Sequence, residues 1–173
     1  WPFCAAKCPY CDFNSHVRAA PVDELRFVKA FESELSFQRE RSGPREVGSI
    51  FFGGGTPSLM RAETIGALLH VISSRWSLSP NVEITMEANP TSVEASRLRA
   101  YRNAGINRLS LGVQAMNDHD LKMLGRLHSA DEAKEARTLS LQYSAGTRIK
   151  GHDTGIMVEC LEFCTVKGCS VRC

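Results

Sequence analysis

The sequence predicts an α/β fold in which a parallel β-sheet is covered by α-helices. Two observations support this prediction. Between residues 21 and 136, segments with the apolar spacing of amphipathic helices alternate with short β-prone runs. The composition, 43% hydrophobic and 23% charged over 173 residues, is that of a globular domain with a sizeable core. Alternating strands and helices of this kind form parallel sheets.

The predicted elements follow one another along the chain. The first helix spans 22–41, because apolar residues recur there at helical spacing, and the Ser-Gly-Pro sequence at 42–44 ends it. Strands are predicted at 49–52, 82–87 and 108–113. Further helices are predicted at 65–76, from the capping-box sequence at 91–94 to Gly105, at 118–124 and at 131–137.

Glycine-rich or polar residues follow each of the three predicted strands. These residues are 53–57, 87–90 and Gln114. In parallel α/β folds, the chemistry lies at the carboxyl ends of the strands. We therefore expect the three groups to face one cavity.

The charge and cysteine content exclude several classes of protein. With 21 basic and 19 acidic residues, the net charge of +2 is not that of a nucleic-acid binder or of a polybasic membrane patch. No apolar run reaches the ~18 residues of a membrane span, and no signal peptide is visible. The seven cysteines fall into two groups at the two ends of the chain, which favours metal chemistry in a reducing compartment over a disulfide scaffold. We expect a cytoplasmic protein whose natural start precedes Trp1.

The first cysteine group has the spacing C-x3-C-x2-C, formed by Cys4, Cys8 and Cys11. Three thiolates on so short a loop can bind three irons of a cubane cluster, which leaves the fourth iron open to a ligand. A zinc site completed by Asp12 or His16, or a set of thiols without a ligand, is the alternative. Zinc sites usually pair two cysteine knuckles, and no second knuckle lies nearby in the sequence.

The strand ends carry weaker signals. A glycine-rich turn at 53–55 allows close approach of a ligand and leaves N–H groups free to face it, but it is also an ordinary strand-to-helix turn. Glu87 is either a surface carboxylate or a buried one that needs a partner. For Arg126, an exposed arginine at a helix end is the alternative to a site residue. The histidines at 16, 119 and 128 have no strong claim as ligands.

Five segments together resemble the radical SAM (S-adenosylmethionine) superfamily. They are WPFCAAKCPYCDFN at 1–14, FGGGTPS at 52–58, EANP at 87–90, GINRLSLGVQ at 105–114 and LGRLHS at 124–129. Their order is that of the oxygen-independent coproporphyrinogen III oxidase group of this superfamily. The resemblance covers residues 1 to about 137.

This resemblance implies a partial TIM-like barrel of about four βα units, truncated with respect to the family. It implies a [4Fe–4S] cluster on Cys4, Cys8 and Cys11, with SAM bound to the open iron and cleaved by an electron from the cluster into methionine and a 5′-deoxyadenosyl radical. The positions that match the family's SAM site are Tyr10, Gly54, Gly55, Thr56, Glu87, Gln114 and Arg126. The expected partners are SAM, an electron donor, heme or porphyrin, and heme-accepting proteins at the membrane surface.

Phe13 distinguishes two branches of the group. The oxidase branch carries a fourth cysteine at this position, whereas Cys-Asp-Phe-Asn resembles the heme-chaperone branch, which implies heme as a further ligand of the full-length protein. The leading hypothesis is therefore a heme chaperone. A porphyrin decarboxylase and an inert fragment of either protein are the alternatives.

Residues 138–173 do not match the family. They have no strand period, and we interpret them as a separate tail of the kind that a frameshift produces. Cys160, Cys164, Cys169 and Cys173 have a C-x3-C-x4-C-x3-C spacing that is typical of no metal site.

Overall fold

The computed structural model describes residues 1–18, 20–91, 97–143 and 156–158, with side chains as far as residue 139. The strands are β1 (Phe3–Cys4), β2 (His16–Val17), β3 (Glu46–Phe52), β4 (Ser77–Ala88), β5 (Arg108–Leu111) and β6 (Ile156–Val158). The helices are α1 (Glu24–Ser42), α2 (Ala62–Ser73), α3 (Leu98–Ala104), α4 (Asp118–Met123) and α5 (Ala130–Tyr143), with a 3₁₀ turn at Pro57–Leu59.

The main sheet is parallel, as the sequence predicts. Its strands lie in the order β3-β4-β5-β6, so consecutive strands of the chain are neighbours. The ends of β3, β4 and β5 are in register, since Phe52 pairs with Met86 and Ala88 pairs with Leu111. The segments that follow these strands therefore lie at one edge. A second sheet pairs β1 with β2 in parallel.

The strands divide the sheet into two faces by their two-residue period. Alternate residues of the strands pack against α2 and α3 in a core that includes Ile84, Met86, Tyr101 and Leu109. The other face is polar: Arg108 forms an ion pair with Glu83 at 2.9 Å, and Thr85 donates a hydrogen bond to the same carboxylate. In a closed barrel, residues of this second face point inward.

Glu24 joins α1 to α2. Its carboxylate is buried and accepts hydrogen bonds from the Arg61 N–H, at 3.0 Å, and from the Thr64 hydroxyl. Both donors belong to the N-terminal end of α2, where backbone N–H groups lack partners within the helix. A carboxylate at a helix N-terminus is also favoured by the helix dipole. The two helices are therefore fixed to each other by this carboxylate.

All predicted strands and helices are present, with shifted ends. Gly105 ends α3 in the left-handed conformation, with φ of 119°, as the sequence predicts. The capping box at 92–94 lies outside the described residues, and so do the four cysteines of the tail. In the described part of the chain, no helix is long and apolar enough to cross a membrane.

The sequence shows no strand period in residues 138–173, but Ile156–Val158 form a short strand. These residues pair in parallel with β5, where the edge of the sheet offers unpaired backbone groups. The helix α5 also continues to Tyr143, beyond the predicted boundary at residue 137. A strand of three residues carries too short a period to be recognised from sequence.

Candidate functional site

The cysteine loop connects β1 to β2. Cys4 is the last residue of β1, and Cys8 and Cys11 lie in a turn in which the Cys11 N–H donates to the Cys8 carbonyl at 3.1 Å. The three thiols are free and half-buried. Lys7 Nζ donates to the Phe13 carbonyl at 2.8 Å and to the Ser15 hydroxyl at 3.2 Å. The loop is thus stabilised by backbone and side-chain hydrogen bonds among its own residues.

The glycine turn after β3 holds the strand that enters the cysteine loop. The Gly55 N–H donates to the Trp1 carbonyl at 2.6 Å, and the Thr56 N–H donates to the Phe3 carbonyl at 2.8 Å. A Cβ on Gly54 would lie 2.7 Å from the Trp1 carbonyl oxygen, and one on Gly55 would lie 2.7 Å from the Phe3 carbonyl oxygen. Glycine is therefore required at both positions for the backbones to meet.

These contacts correct one expectation. The N–H groups of Gly55 and Thr56 are not free to face a ligand, because they donate to the strand before Cys4. The Gly54 N–H is also occupied, since it donates to Glu87 Oε2 at 3.1 Å. The expectation of free N–H groups at this turn is therefore wrong, and a contact between the turn and a ligand stays a prediction.

Glu87 lies at the end of β4, on the same face of the sheet as Glu83 and Thr85. A Cβ on Gly53 would lie 2.7 Å from the ring of Phe51 and 3.3 Å from Glu87 Oε2, so Gly53 makes room for both side chains. The carboxylate is half-buried and bonded to the glycine turn. It places a negative charge between the ends of β3 and β4.

Arg126 joins the cysteine loop to the ends of β4 and β5. Nη1 donates to Cys8 Sγ at 3.6 Å and to the Tyr10 hydroxyl at 3.3 Å. Nη2 donates to Asn89 Oδ1 and, at 2.6 Å, to the Gly112 carbonyl. Nε is buried and has no hydrogen-bond partner. Arg126 is therefore held between the cysteine loop and the strand ends, and it is not an exposed helix-end arginine.

A tight turn after Leu124 brings this arginine to the loop. Gly125 has φ of 66°, a conformation that favours glycine, and a Cβ there would lie 3.0 Å from the Pro9 ring. Burial raises the pKa of Tyr10, although the neighbouring Arg126 charge acts to lower it. Tyr10 therefore stays neutral at physiological pH.

Gln114 follows β5 in a conformation that is uncommon for a residue with a side chain. Its φ is 72°, and its Oε1 is buried and has no hydrogen-bond partner. Buried acceptors without partners are rare and point to a ligand or water that completes them. Such an atom at the end of a strand fits a bound ligand with N–H or O–H donors.

His128 supports this turn, a role that the sequence did not indicate. Its Nε2 lies 3.1 Å from the carbonyl of Val113, the residue before Gln114. A carbonyl only accepts, so Nε2 carries the hydrogen, and the buried Nδ1 has no partner. Burial lowers the pKa of His128, and the Arg126 charge lowers the pKa further. His16 and His119, by contrast, are exposed.

The three cysteine thiols of the loop are donors of the type that an iron–sulfur cluster takes. Among the described residues, no three His, Cys, Asp or Glu side chains are grouped as ligands of one ion. The thiolates of a cubane bind different irons, so they need not converge on one point. The arrangement gives no support to a zinc site completed by Asp12 or His16. Glu87 and the unpartnered oxygen of Gln114 match the positive charges and hydroxyl groups of SAM.

Known proteins with similar sequences belong to one superfamily. Residues 1–141 match the sequence model of the radical SAM superfamily. The heme chaperone HemW of Haemophilus influenzae is 45% identical over 143 residues, which cover 80% of this chain and 37% of that relative. The mitochondrial radical S-adenosyl methionine domain-containing protein 1 of Bos taurus is 44% identical over 133 residues, which cover 77% of this chain and 30% of the relative.

The fold is also similar to a solved radical SAM enzyme. The structure of coproporphyrinogen III oxidase (HemN) from Escherichia coli aligns with a TM-score of 0.71 and 26% sequence identity. The alignment covers 83% of this chain and 32% of that enzyme. The chain thus spans about a third of the length of the proteins that it matches.

Proposed function

The chain belongs to the radical SAM superfamily, whose membership implies a [4Fe–4S] cluster and SAM; on that premise we propose that it binds both and acts as a heme chaperone of the HemW type. The single observation that carries the cofactor assignment is the Arg126 network, because it ties the cysteine loop to the ends of β4 and β5. This network supports the proposal because a cluster bound to the loop would then lie beside the polar strand ends.

In this proposal, Cys4, Cys8 and Cys11 bind three irons of the cluster. The cluster, when bound, supplies the electron for the cleavage of SAM. The residues proposed to contact SAM are Tyr10, Gly54, Gly55, Thr56, Glu87, Gln114 and Arg126. Since the turn N–H groups are occupied, Gly54, Gly55 and Thr56 act through their shape, and Glu87 and Gln114 supply the acceptors.

The cofactor proposal is tested by anaerobic reconstitution with iron and sulfide and reduction with dithionite, followed by EPR spectroscopy and determination of iron. We expect a [4Fe–4S] signal from the chain that changes when SAM is added, because SAM binds at the open iron. The Cys4, Cys8 and Cys11 triple alanine variant should give no such signal. A signal that persists in this variant would show that the cluster binds elsewhere.

Two observations support the heme-chaperone assignment. The H. influenzae relative that is 45% identical is named a heme chaperone. Phe13 stands where the porphyrin-oxidising branch carries a cysteine, and its side chain is 64% exposed beside the cysteine loop. The test is titration of the reconstituted chain with heme, followed by its absorption spectrum. Saturable binding supports the proposal, and binding no stronger than that to an unrelated protein contradicts it.

The second candidate is an oxygen-independent coproporphyrinogen III oxidase, favoured by the similarity to the HemN structure. Because Phe13 cannot supply a thiol, we expect no decarboxylation of coproporphyrinogen III in an anaerobic assay with reduced cluster and SAM. Formation of protoporphyrinogen IX above the level of a Cys8→Ala control would favour this candidate instead.

An electron donor for the cluster and heme-accepting proteins at the membrane surface are the partners that this function requires. No nucleic-acid partner is proposed. A cytoplasmic location remains a prediction, and the bovine relative is named mitochondrial.

A further inference from the structure

We propose that Arg126 is a positioning residue for the cluster: its guanidinium holds Cys8 and stabilises the reduced cluster by its charge. This role differs from the SAM contact proposed for the same residue. It rests on the proposed function, because it requires a cluster on the cysteine loop. The observation behind it is the contact of Arg126 Nη1 with Cys8 Sγ at 3.6 Å.

The guanidinium is aimed at Cys8 by contacts on its other side. Nη2 donates to Asn89, which follows β4, and to the Gly112 carbonyl, which follows β5. These partners directly follow two adjacent strands, so the planar guanidinium is fixed relative to the sheet. Nη1 must then point away from both strands, toward Cys8 and Tyr10.

Among the residues that the structure describes, no carboxylate forms an ion pair with the charge of Arg126. Arg126 is half-buried, and its guanidinium contacts two ionisable groups, Cys8 and Tyr10. Its charge also lowers the pKa of His128. The positive charge therefore acts on the cysteine loop at reduced dielectric screening.

Reduction adds one electron and one negative charge to the cluster. A nearby cation and an N–H group directed at a ligand sulfur both favour the more negative state, and hydrogen bonds to the sulfurs are among the factors that set the potential of such clusters. In the test reaction, dithionite supplies the electron, and no bond or proton moves at Arg126. We therefore expect Arg126 to raise the midpoint potential of the cluster.

The test measures this potential by EPR-monitored redox titration of the reconstituted full chain. In Arg126→Gln, the ratio of reduced to oxidised cluster at a fixed potential should fall about threefold, the effect of losing one partly screened charge. Arg126→Lys should lie between this variant and the original chain, because lysine keeps the charge but cannot donate to four partners at once. Arg45→Gln is the control, since it removes an exposed arginine at the opposite end of β3.

The possible results separate this inference from the proposed function. If the original chain forms no cluster, the proposed function fails. If it forms a cluster and both Arg126 variants keep the original potential, the inference alone is wrong. If only the lysine variant assembles a cluster, a fall of about threefold or more in the ratio of reduced to oxidised cluster, although the charge is kept, overturns the inference. If neither assembles a cluster, an unchanged melting temperature supports a role in the loop, and a lowered one contradicts it by making Arg126 a residue of the fold.

Discussion

Gly55→Ala should shift the strand before Cys4 relative to the glycine turn. An alanine Cβ would lie 2.7 Å from the Phe3 carbonyl oxygen and 3.0 Å from the Phe3 carbonyl carbon and amide nitrogen. These are backbone atoms, so no side chain can rotate away. The φ of Gly55 is not in the left-handed region, so the expected loss of stability comes from the steric overlap of the Cβ alone.

Two routes are open to the variant, and the less costly one sets the change in stability. Keeping the strand bonded to the turn costs about 1–3 kcal/mol, as for other insertions into packed sites. Releasing the strand costs more, because it removes the two hydrogen bonds to Trp1 and Phe3, about 2 kcal/mol together. It also removes the bond from the Trp1 N-terminus to Gly53 and the contacts of the Trp1 and Phe3 rings with Phe27. We therefore expect the free energy of unfolding to fall by roughly 2 kcal/mol. The iron content after reconstitution should fall as well, because Cys4 moves with the strand.

The assay is urea denaturation of the chain together with iron determination after anaerobic reconstitution. Gly66→Ala is the matched control: a Cβ there meets nothing within 4 Å, and the helix α2 should gain up to about 1 kcal/mol. The reasoning is refuted if Gly55→Ala keeps the original iron content and a stability within about 0.5 kcal/mol of the original.

Two further predictions concern the strand ends. Glu87→Gln keeps the shape and an acceptor for the Gly54 N–H but removes the charge, so SAM binding to the reconstituted chain should weaken by about 1–3 kcal/mol in calorimetry. Glu83→Gln, on the same face but paired with Arg108, should leave the affinity unchanged, and an unchanged affinity in Glu87→Gln would exclude Glu87 from the site. The pKa of His128 is lowered in the folded state. At a pH below the ordinary histidine pKa of about 6.5, the unfolded state therefore binds more protons than the folded state. The free energy of unfolding consequently decreases as the pH falls through that value. Urea denaturation at about pH 5 and about pH 8 should show a smaller difference in His128→Gln than in the original chain or in His119→Gln; equal differences in all three would contradict this role.

The sequence predicts the order and type of the elements well, because the sheet is built from regular alternation. It predicts the ends of strands less well. The strand β3 begins at Glu46, three residues before the β-prone run, because Glu46 and Val47 pair with the early part of β4. That pairing depends on the neighbouring strand, so the start of β3 cannot be predicted from the local β-propensity of its residues.

The motifs identify the candidate site residues, but their contacts depend on the fold. Arg126 and Cys8 are 118 positions apart, and their contact requires the turn at Gly125 and its packing on Pro9. The role of His128 cannot be predicted from the sequence, for a similar reason. A buried histidine that holds a backbone carbonyl has the same sequence signature as an exposed one.

The cysteine loop is held at two points by different strands, and this explains why its sequence motif is accompanied by glycines and an arginine far away. Upstream, the strand before Cys4 is fixed to the turn after β3 by backbone hydrogen bonds that require Gly54 and Gly55. Downstream, the turn at Cys8 is fixed by Arg126 to the ends of β4 and β5. For a ligand bound between these two points, the sheet would fix the distance between the ligand and the cysteine loop. Chemistry that passes an electron from a cluster to an adjacent ligand depends on such positioning, since displacements near 1 Å impair catalysis. The glycines and the arginine therefore share one structural effect, because both fix the loop relative to the strand ends.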